Sequence, residues 1–159
     1  MRGGASYPTT EAAAAARSAV MRAVKSANTK PELVVRRLAH QLGFRFRLHR
    51  KTLPGCPDLV FVALRKAIFV NGCFWHGHEC KRGARVPKSN AQYWRAKIAG
   101  NRARDAKVRE ELAAHGWDVL TVWECQTRDP GLLRAQLQDF LRPRLPPSAA
   151  PTAPVYHNR

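Results

Sequence analysis

The chain has 159 residues and a mass of 17.8 kDa, enough for one domain with a real hydrophobic core. It carries 28 Lys and Arg against 11 Asp and Glu, a formal net charge of +17, and at 45% hydrophobic it lacks the composition of a disordered tail. The longest apolar runs, such as Asp58 to Leu64, are too short to span a bilayer, and Ala12 to Ala16, between Glu11 and Arg17, is a poor signal-peptide core.

The charge is spread along the chain. Residues 1–30 hold five basic residues and one acidic, 31–141 hold 20 and 10, and 142–159 hold three and none. A folded basic body of this kind attracts polyanions, nucleic acid before an anionic membrane. No stretch has the broad apolar face of a membrane-surface helix. The chain reads as cytoplasmic, and its four cysteines then read as metal ligands or reactive thiols more than as disulfides.

In chain order, residues 1–10 are rich in Gly, Pro, Ser and Thr, and residues 11–26 are Ala-rich with high helix propensity. Thr29, Pro31 and Glu32 form a capping box that opens a helix to about Leu42, with Leu33, Val34, Leu38 and Leu42 inward and Gly43 as its stop. Phe44, Phe46 and Leu48 alternate with Arg45 and Arg47, the period of a half-buried strand. Residues 53–57 form a turn. Asp58 to Leu64 and Ala67 to Val70 read as a buried hairpin joined at Arg65-Lys66. A Cys-, His- and aromatic-rich loop covers 71–88. A helix from about Asn90 to Ala114, anchored by Trp94, Ile98, Val108 and Leu112, is followed by a strand over Trp117–Trp123 and a helix over Leu132–Leu141. Pro143, Pro146 and Pro147 begin a Pro/Ala tail. The order is α-β-β-β-α-β-α.

The densest chemistry lies in Gly72-Cys73-Phe74-Trp75-His76-Gly77-His78-Glu79-Cys80. With Cys125 after the last strand, Cys73, His78 and Cys80 would give structural zinc three sulfurs and a nitrogen. Spacing alone does not choose His78 over His76. Cys56 reads as a small core thiol. Phe74 and Trp75, adjacent on a polar loop, cannot both enter one core. Either they stack on bases or wedge a duplex, or they cover the metal site. Asp58 follows Pro57 at the mouth of a buried strand, where a carboxylate needs a partner and Mg²⁺ is a natural one. Pro-Asp alone is equally a strand-start turn, and Ile68, Phe69 and Val70 stand where a nuclease P-D…(D/E)-x-K pattern would have its acid and lysine. Lys97, Asn101, Arg104 and Asp105 fall on one helical face. Asp105 gains interest if it faces His76.

Taken together, Arg17 to Val24, Thr29 to Glu32, Leu53 to Asp58, Phe69 to Cys80 and Val122 to Cys125 resemble the very-short-patch-repair DNA mismatch endonucleases over about residues 17–141. The resemblance implies a mismatch endonuclease domain over 17–141, between an N-terminal segment 1–16 and a tail 142–159. It implies a restriction-endonuclease-like α/β fold, a mixed sheet flanked by helices with a structural zinc. The implied reaction is a Mg²⁺-dependent nick of one strand, 5′ to the thymine of a T·G mismatch left by 5-methylcytosine deamination.

By position, Asp58 matches the Mg²⁺ carboxylate and Val70 the residue whose backbone carbonyl is the other protein ligand. His76 matches the general base, Asp105 the acid beside it and Glu32 an outer-sphere acid. Cys73, His78, Cys80 and Cys125 match the zinc set. Phe74, Trp75 and Trp94 match the intercalating aromatics, and Met21, Lys97 and Asn101 match residues that approach the mismatch. Asn71 stands where the best-known members have a second active-site histidine. Because Asn cannot accept a proton near neutral pH, the expectation is that His76 carries that task. The implied partner is double-stranded DNA with a T·G mismatch, met by a monomer in a pathway that includes a cytosine-5 DNA methyltransferase. Two alternatives stand beside this reading: a nuclease of the same fold with another DNA target, and a zinc-stabilised DNA-binding module without catalysis.

Overall fold

A computed structural model of the chain describes residues 27–88 and 90–143. The expected helix over 11–26, Met21 and the Pro/Ala tail from 144 onward lie outside the described residues.

Helix α1 (Lys30–Gln41) begins at the expected capping box, in which Thr29 Oγ1 accepts from the Glu32 N–H and Glu32 accepts from the Thr29 N–H. Its buried face is Glu32, Val35, Leu38 and Ala39, so the apolar stripe is rotated from the expected one. Leu38 is inward and Val34 and Leu42 pack at its edge, but Leu33 is 40% exposed. The buried Glu32 sets this phase, which a purely apolar periodicity does not register.

Strand β1 (Arg47–Leu48) is shorter than its alternating pattern predicts. Phe44 and Phe46 still face inward, edge-on to Phe61 with ring centroids 6.3 and 5.8 Å apart. Strand β2 (Leu59–Phe61) also ends early, in a 3-10 turn over Val62–Leu64. Arg65, at φ +50, then reverses the chain into β3 (Lys66–Asn71). Helix α2 (Ala91–Ala114) crosses over to β4 (Asp118–Trp123), which runs through a 3-10 segment (Glu124–Arg128) into α3 (Pro130–Leu141). Helix α3 starts two residues before the expected Leu132. Asp129 caps the Leu132 N–H, and Pro130 has no N–H that would go unpaired in a first turn.

The sheet order is β1-β2-β3-β4, antiparallel except for the parallel β3/β4 pair. This is the expected mixed α/β architecture. Val35, Leu38 and Ala39 of α1 and Leu133, Leu137 and Leu141 of α3 cover one face, over Leu59, Phe61, Ile68 and Val122. Each such large side chain contributes roughly 1.5–3 kcal/mol when fully buried. Helix α2 lies on the other face, where Val108 and Asp105 meet Phe69, Asn71 and Thr121. The carboxyl ends of β3 and β4 therefore emerge side by side, with α2 alongside and the Cys-His loop above.

Candidate active site and metal centre

Three side-chain groups gather at that end of the sheet. The first joins α1 to β1 and β2. In the antiparallel β1/β2 ladder Arg47 faces Val60 and Leu48 faces Leu59, so the next pair outward is His49 and Asp58. Their side chains approach, His49 Nδ1 to Asp58 Oδ1 at 3.7 Å, with Glu32 Oε2 3.8 Å from His49 Nε2. Glu32 is buried, and its carboxylate is already engaged: Oε2 accepts from the Asn28 N–H (2.9 Å) and Arg36 Nη2 (2.7 Å), and Oε1 from Thr29 Oγ1 (3.0 Å). Arg36 Nη2 also reaches His49 Nε2 at 2.9 Å. Since a guanidinium only donates, His49 Nε2 is the acceptor and its proton sits on Nδ1, toward Asp58.

Asp58 is less well supplied. Its Oδ2 accepts the Val70 N–H at 2.7 Å, and burial pushes its pKa up to about 6 despite that bond. A carboxylate set this way favours a cation. Glu32, His49 and Asp58 have ligand atoms within 4.8 Å of one another. Neither His49 nor Arg36 was singled out from the sequence. The signal available was the hairpin register, which places His49 opposite Asp58. His49 also adopts φ +44, a conformation uncommon for a residue with a side chain.

The second group lies on the α2 side. His76 Nδ1 meets Asp105 Oδ2 at 2.5 Å, so Asp105 does face His76. Both line a cleft of about 350 Å³ with Asn71, Arg102 and Arg109. The loop that carries His76 is held by its own backbone: the His76 N–H donates to Gly72 O and the His78 N–H to Cys73 O. Gly83 is buried beneath it, and a Cβ there would stand 2.0 Å from the His78 carbonyl oxygen.

The third group is Cys73, His78, Cys80 and Cys125, with ligand atoms within 4.8 Å of one another. Geometry separates the two histidines that spacing left open: His78 is among the thiols and His76 is with Asp105. The parallel register pairs Asn71 with Trp123, so Cys73 and Cys125, each two residues on, are neighbours, and the Cys125 N–H reaches Cys73 Sγ at 3.4 Å. His78 Nδ1 is 3.5 Å from Cys125 Sγ, and its ring stacks on Trp123 at 4.4 Å. Burial pushes the Cys73 thiol up to about 12, while His78 pulls Cys80 down to about 6. A thiolate, further thiols and an imidazole, converging without a disulfide, are a donor set that fits a tetrahedral soft-metal site. Cys56 stands apart from them, half-buried.

Around these groups Phe74, Trp75 and Trp94 pack edge to face at 5.1 to 5.9 Å, with Tyr93 at 5.3 Å from Trp94 and 55% exposed. Phe74 and Trp75 are both half-buried, neither in the core nor fully in solvent. Asn101 Nδ2 donates to the Trp75 carbonyl at 2.7 Å and ties α2 to the aromatic loop. Lys97 is exposed on α2.

Comparison with known proteins gives a consistent picture. A family model described as DNA mismatch endonuclease Vsr matches residues 11–82. The chain is 53% identical over 124 residues to the Type II nicking enzyme V.XorIIP of Xanthomonas oryzae pv. oryzae, covering 78% of this chain and 90% of that protein. It is 40% identical over 126 residues to the Type II nicking enzyme V.NmeAIP of Neisseria meningitidis, covering 79% and 89%. It is also 40% identical over 114 residues to the DNA mismatch endonuclease Vsr of Escherichia coli, covering 72% of each chain.

Proposed function

The chain belongs to the Vsr family of DNA mismatch endonucleases and is a DNA endonuclease, and on that premise we propose that it nicks one strand of duplex DNA 5′ to the thymine of a T·G mismatch. The catalytic ion in this reading is Mg²⁺ and the structural ion is Zn²⁺. The observation that carries the reading is a convergence at the end of β3. The Val70 N–H holds Asp58, and the next residue, Asn71, lines the cleft of His76 and Asp105. A metal-binding carboxylate and a proton-transfer pair thus flank two consecutive residues.

Asp58 suits the ion because its largely buried carboxylate accepts only the Val70 N–H, and nearby His49 and Arg36 do not offset the cost of burial. In a strand, one residue's N–H and C=O face the same neighbour. The Val70 N–H bond to Asp58 therefore turns the Val70 carbonyl to the same side, where it would serve as second ligand. Glu32, its oxygens engaged by Arg36 and the helix cap, suits an outer-sphere role. Bound there, Mg²⁺ would polarise the scissile phosphate and stabilise charge on its oxygens. His76 donates its Nδ1 proton to Asp105, which leaves Nε2 to accept a proton from the attacking water. Asn71 donates to a water or a phosphate oxygen without moving a proton.

Phe74, Trp75 and Trp94 form the wedge that unstacks the mismatch, at least cost where pairing is already weak. Asn101 braces that wedge through Trp75, and Lys97 and Met21 approach the flanking bases. The domain is 17–141, acting as a monomer in the cytoplasm. Deamination of 5-methylcytosine, the product of a cytosine-5 DNA methyltransferase, would generate its substrate. Strand-labelled T·G and T·A duplexes, with Mg²⁺ or with EDTA, test the reading. A cut confined to the thymine strand of the T·G duplex and absent in EDTA is expected. Cleavage in EDTA, or equal cutting of T·A, contradicts it.

A further inference from the structure

Helix α2 has 24 residues, of which only Leu112 is fully buried. Beside the stripe of Trp94, Ile98, Val108 and Leu112 that it turns inward, the helix carries a second set of charged side chains that the core does not use. Arg102, Asp105 and Arg109 are three and four residues apart, hence on one face, and all three line the cleft with Asn71 and His76. Asp105 neutralises neither arginine, because its Oδ2 is turned to His76 Nδ1. Among the described residues, neither guanidinium has an ion pair or a side-chain hydrogen bond. The stem of Arg102 lies across the residue after His76: a Cβ on Gly77 would stand 3.4 Å from Arg102 Cδ and 2.7 Å from Ile98 Cγ2, and Gly77 itself holds φ +62. The cleft thus has a glycine floor under one arginine and a second arginine two turns along. Glu79 also lines the cleft, and among the described residues neither it nor Asp105 forms an ion pair with either guanidinium.

We propose that Arg102 and Arg109 form a clamp for two backbone phosphates of the strand being cut, holding that strand across the His76–Asp105 pair. The ligand class is the phosphodiester, read without regard to base. Two turns of helix separate the arginines by about 10 Å of rise, a span that long side chains close onto nearby phosphates of one strand. The planar, permanently charged guanidinium suits the two oxygens of such a group. The clamp rests on the proposed role of His76 in the cleft.

The experiment is binding of the zinc-loaded full chain to a T·G duplex and its T·A counterpart, without Mg²⁺, across a salt series. Nicking is measured in parallel. Arg102→Ala and Arg109→Ala should each lower the slope of log affinity against log salt by about one, and the double variant by about two, equally on both duplexes. Arg102→Lys and Arg109→Lys should restore the slope, which a merely structural role would not produce. Arg134→Ala, exposed on α3 across the sheet, should change nothing. Both target side chains are exposed, so the variants should keep the wild-type circular dichroism spectrum. A wild-type salt slope in the double variant overturns the clamp. His76→Ala separates the two readings: lost nicking with an unchanged slope is expected, whereas wild-type nicking would remove the proton-transfer role and leave the slope result to judge the clamp.

Discussion

Asp58 is where the site exacts a cost from the fold. Its pKa is raised from an ordinary carboxylate value to about 6, first by burial and then by the nearby Glu32. Its charged form is therefore penalised in the folded chain. Above pH 6 the penalty is fully present, and as pH falls from 6 toward 4 the folded state takes up the proton before the unfolded state does. The Mg²⁺-free protein should gain stability over that window, by roughly 3 kcal/mol at most from this group. Asp58→Asn should remove the dependence, raise the melting temperature at pH 7.5 and abolish nicking. Melting curves from pH 4 to 8 without Mg²⁺ check the first two points, and a lower melting temperature for the variant would count against a penalised carboxylate. The chain Glu32–Arg36–His49–Asp58 was only partly legible in the sequence. Pro57-Asp58 and the capping box mark its ends. His49 enters through a cross-strand register, and Arg36 through the helical phase that buries Glu32, and neither is local in sequence.

At the scale of elements, the loop that follows Asn71 is held to α2 by the Phe74–Trp75–Trp94 rings and the Asn101 bond, and to β4 where Cys73 and Cys125 meet. If Cys73, His78, Cys80 and Cys125 hold zinc, that ion is the tie to β4. A zinc-selective chelator in excess Mg²⁺ should lower the melting temperature and stop nicking, and both should return on adding zinc. An unchanged melting temperature would mean the tetrad is not a metal site. A separate tie, between β3 and α3, is Lys66, 5% exposed, whose Nζ donates to the Phe140 carbonyl (2.5 Å) and the Arg142 carbonyl (2.6 Å). It caps the end of α3. Lys66→Met would leave those carbonyls without a donor and should cost about 2–3 kcal/mol by chemical denaturation, with nicking at low temperature intact. The Cys-His cluster was legible because Cys73, His78 and Cys80 fall within eight residues and because Cys125 follows a recognisable strand. The lysine cap was not, since nothing in Arg65-Lys66 distinguishes a turn cation from one that reaches a helix more than 70 residues away. The rotated face of α1, with Leu33 outward, was hidden for the related reason that its inward anchor is a glutamate.

For the whole molecule, the charge of +17 supplies attraction to DNA without regard to sequence. In the proposed mechanism, selection for the mismatch comes from uncharged groups, the aromatic wedge and Asn101. Raising salt should therefore weaken binding to T·G and T·A duplexes by the same factor and leave their ratio nearly constant. A ratio that collapses with salt would place the selectivity in the charges. The element order and the β2–β3 hairpin were readable because their patterns are local, whereas the order of strands in the sheet came only with the structure. The meeting of the two halves of the site was not readable either, because it depends on β3 presenting Val70 to Asp58 and Asn71 to the cleft.

In the proposed mechanism, Asp58 and the His76–Asp105 pair serve one reaction at the end of one strand. Single-turnover nicking of a strand-labelled T·G duplex by Asp58→Asn, His76→Ala and the double variant tests it most directly. Each single change should lower the rate by at least a hundredfold, the effect of the double change should be far less than the product of the two, and DNA binding should be retained throughout. Near-wild-type nicking by either single variant, or effects that simply multiply, would contradict it.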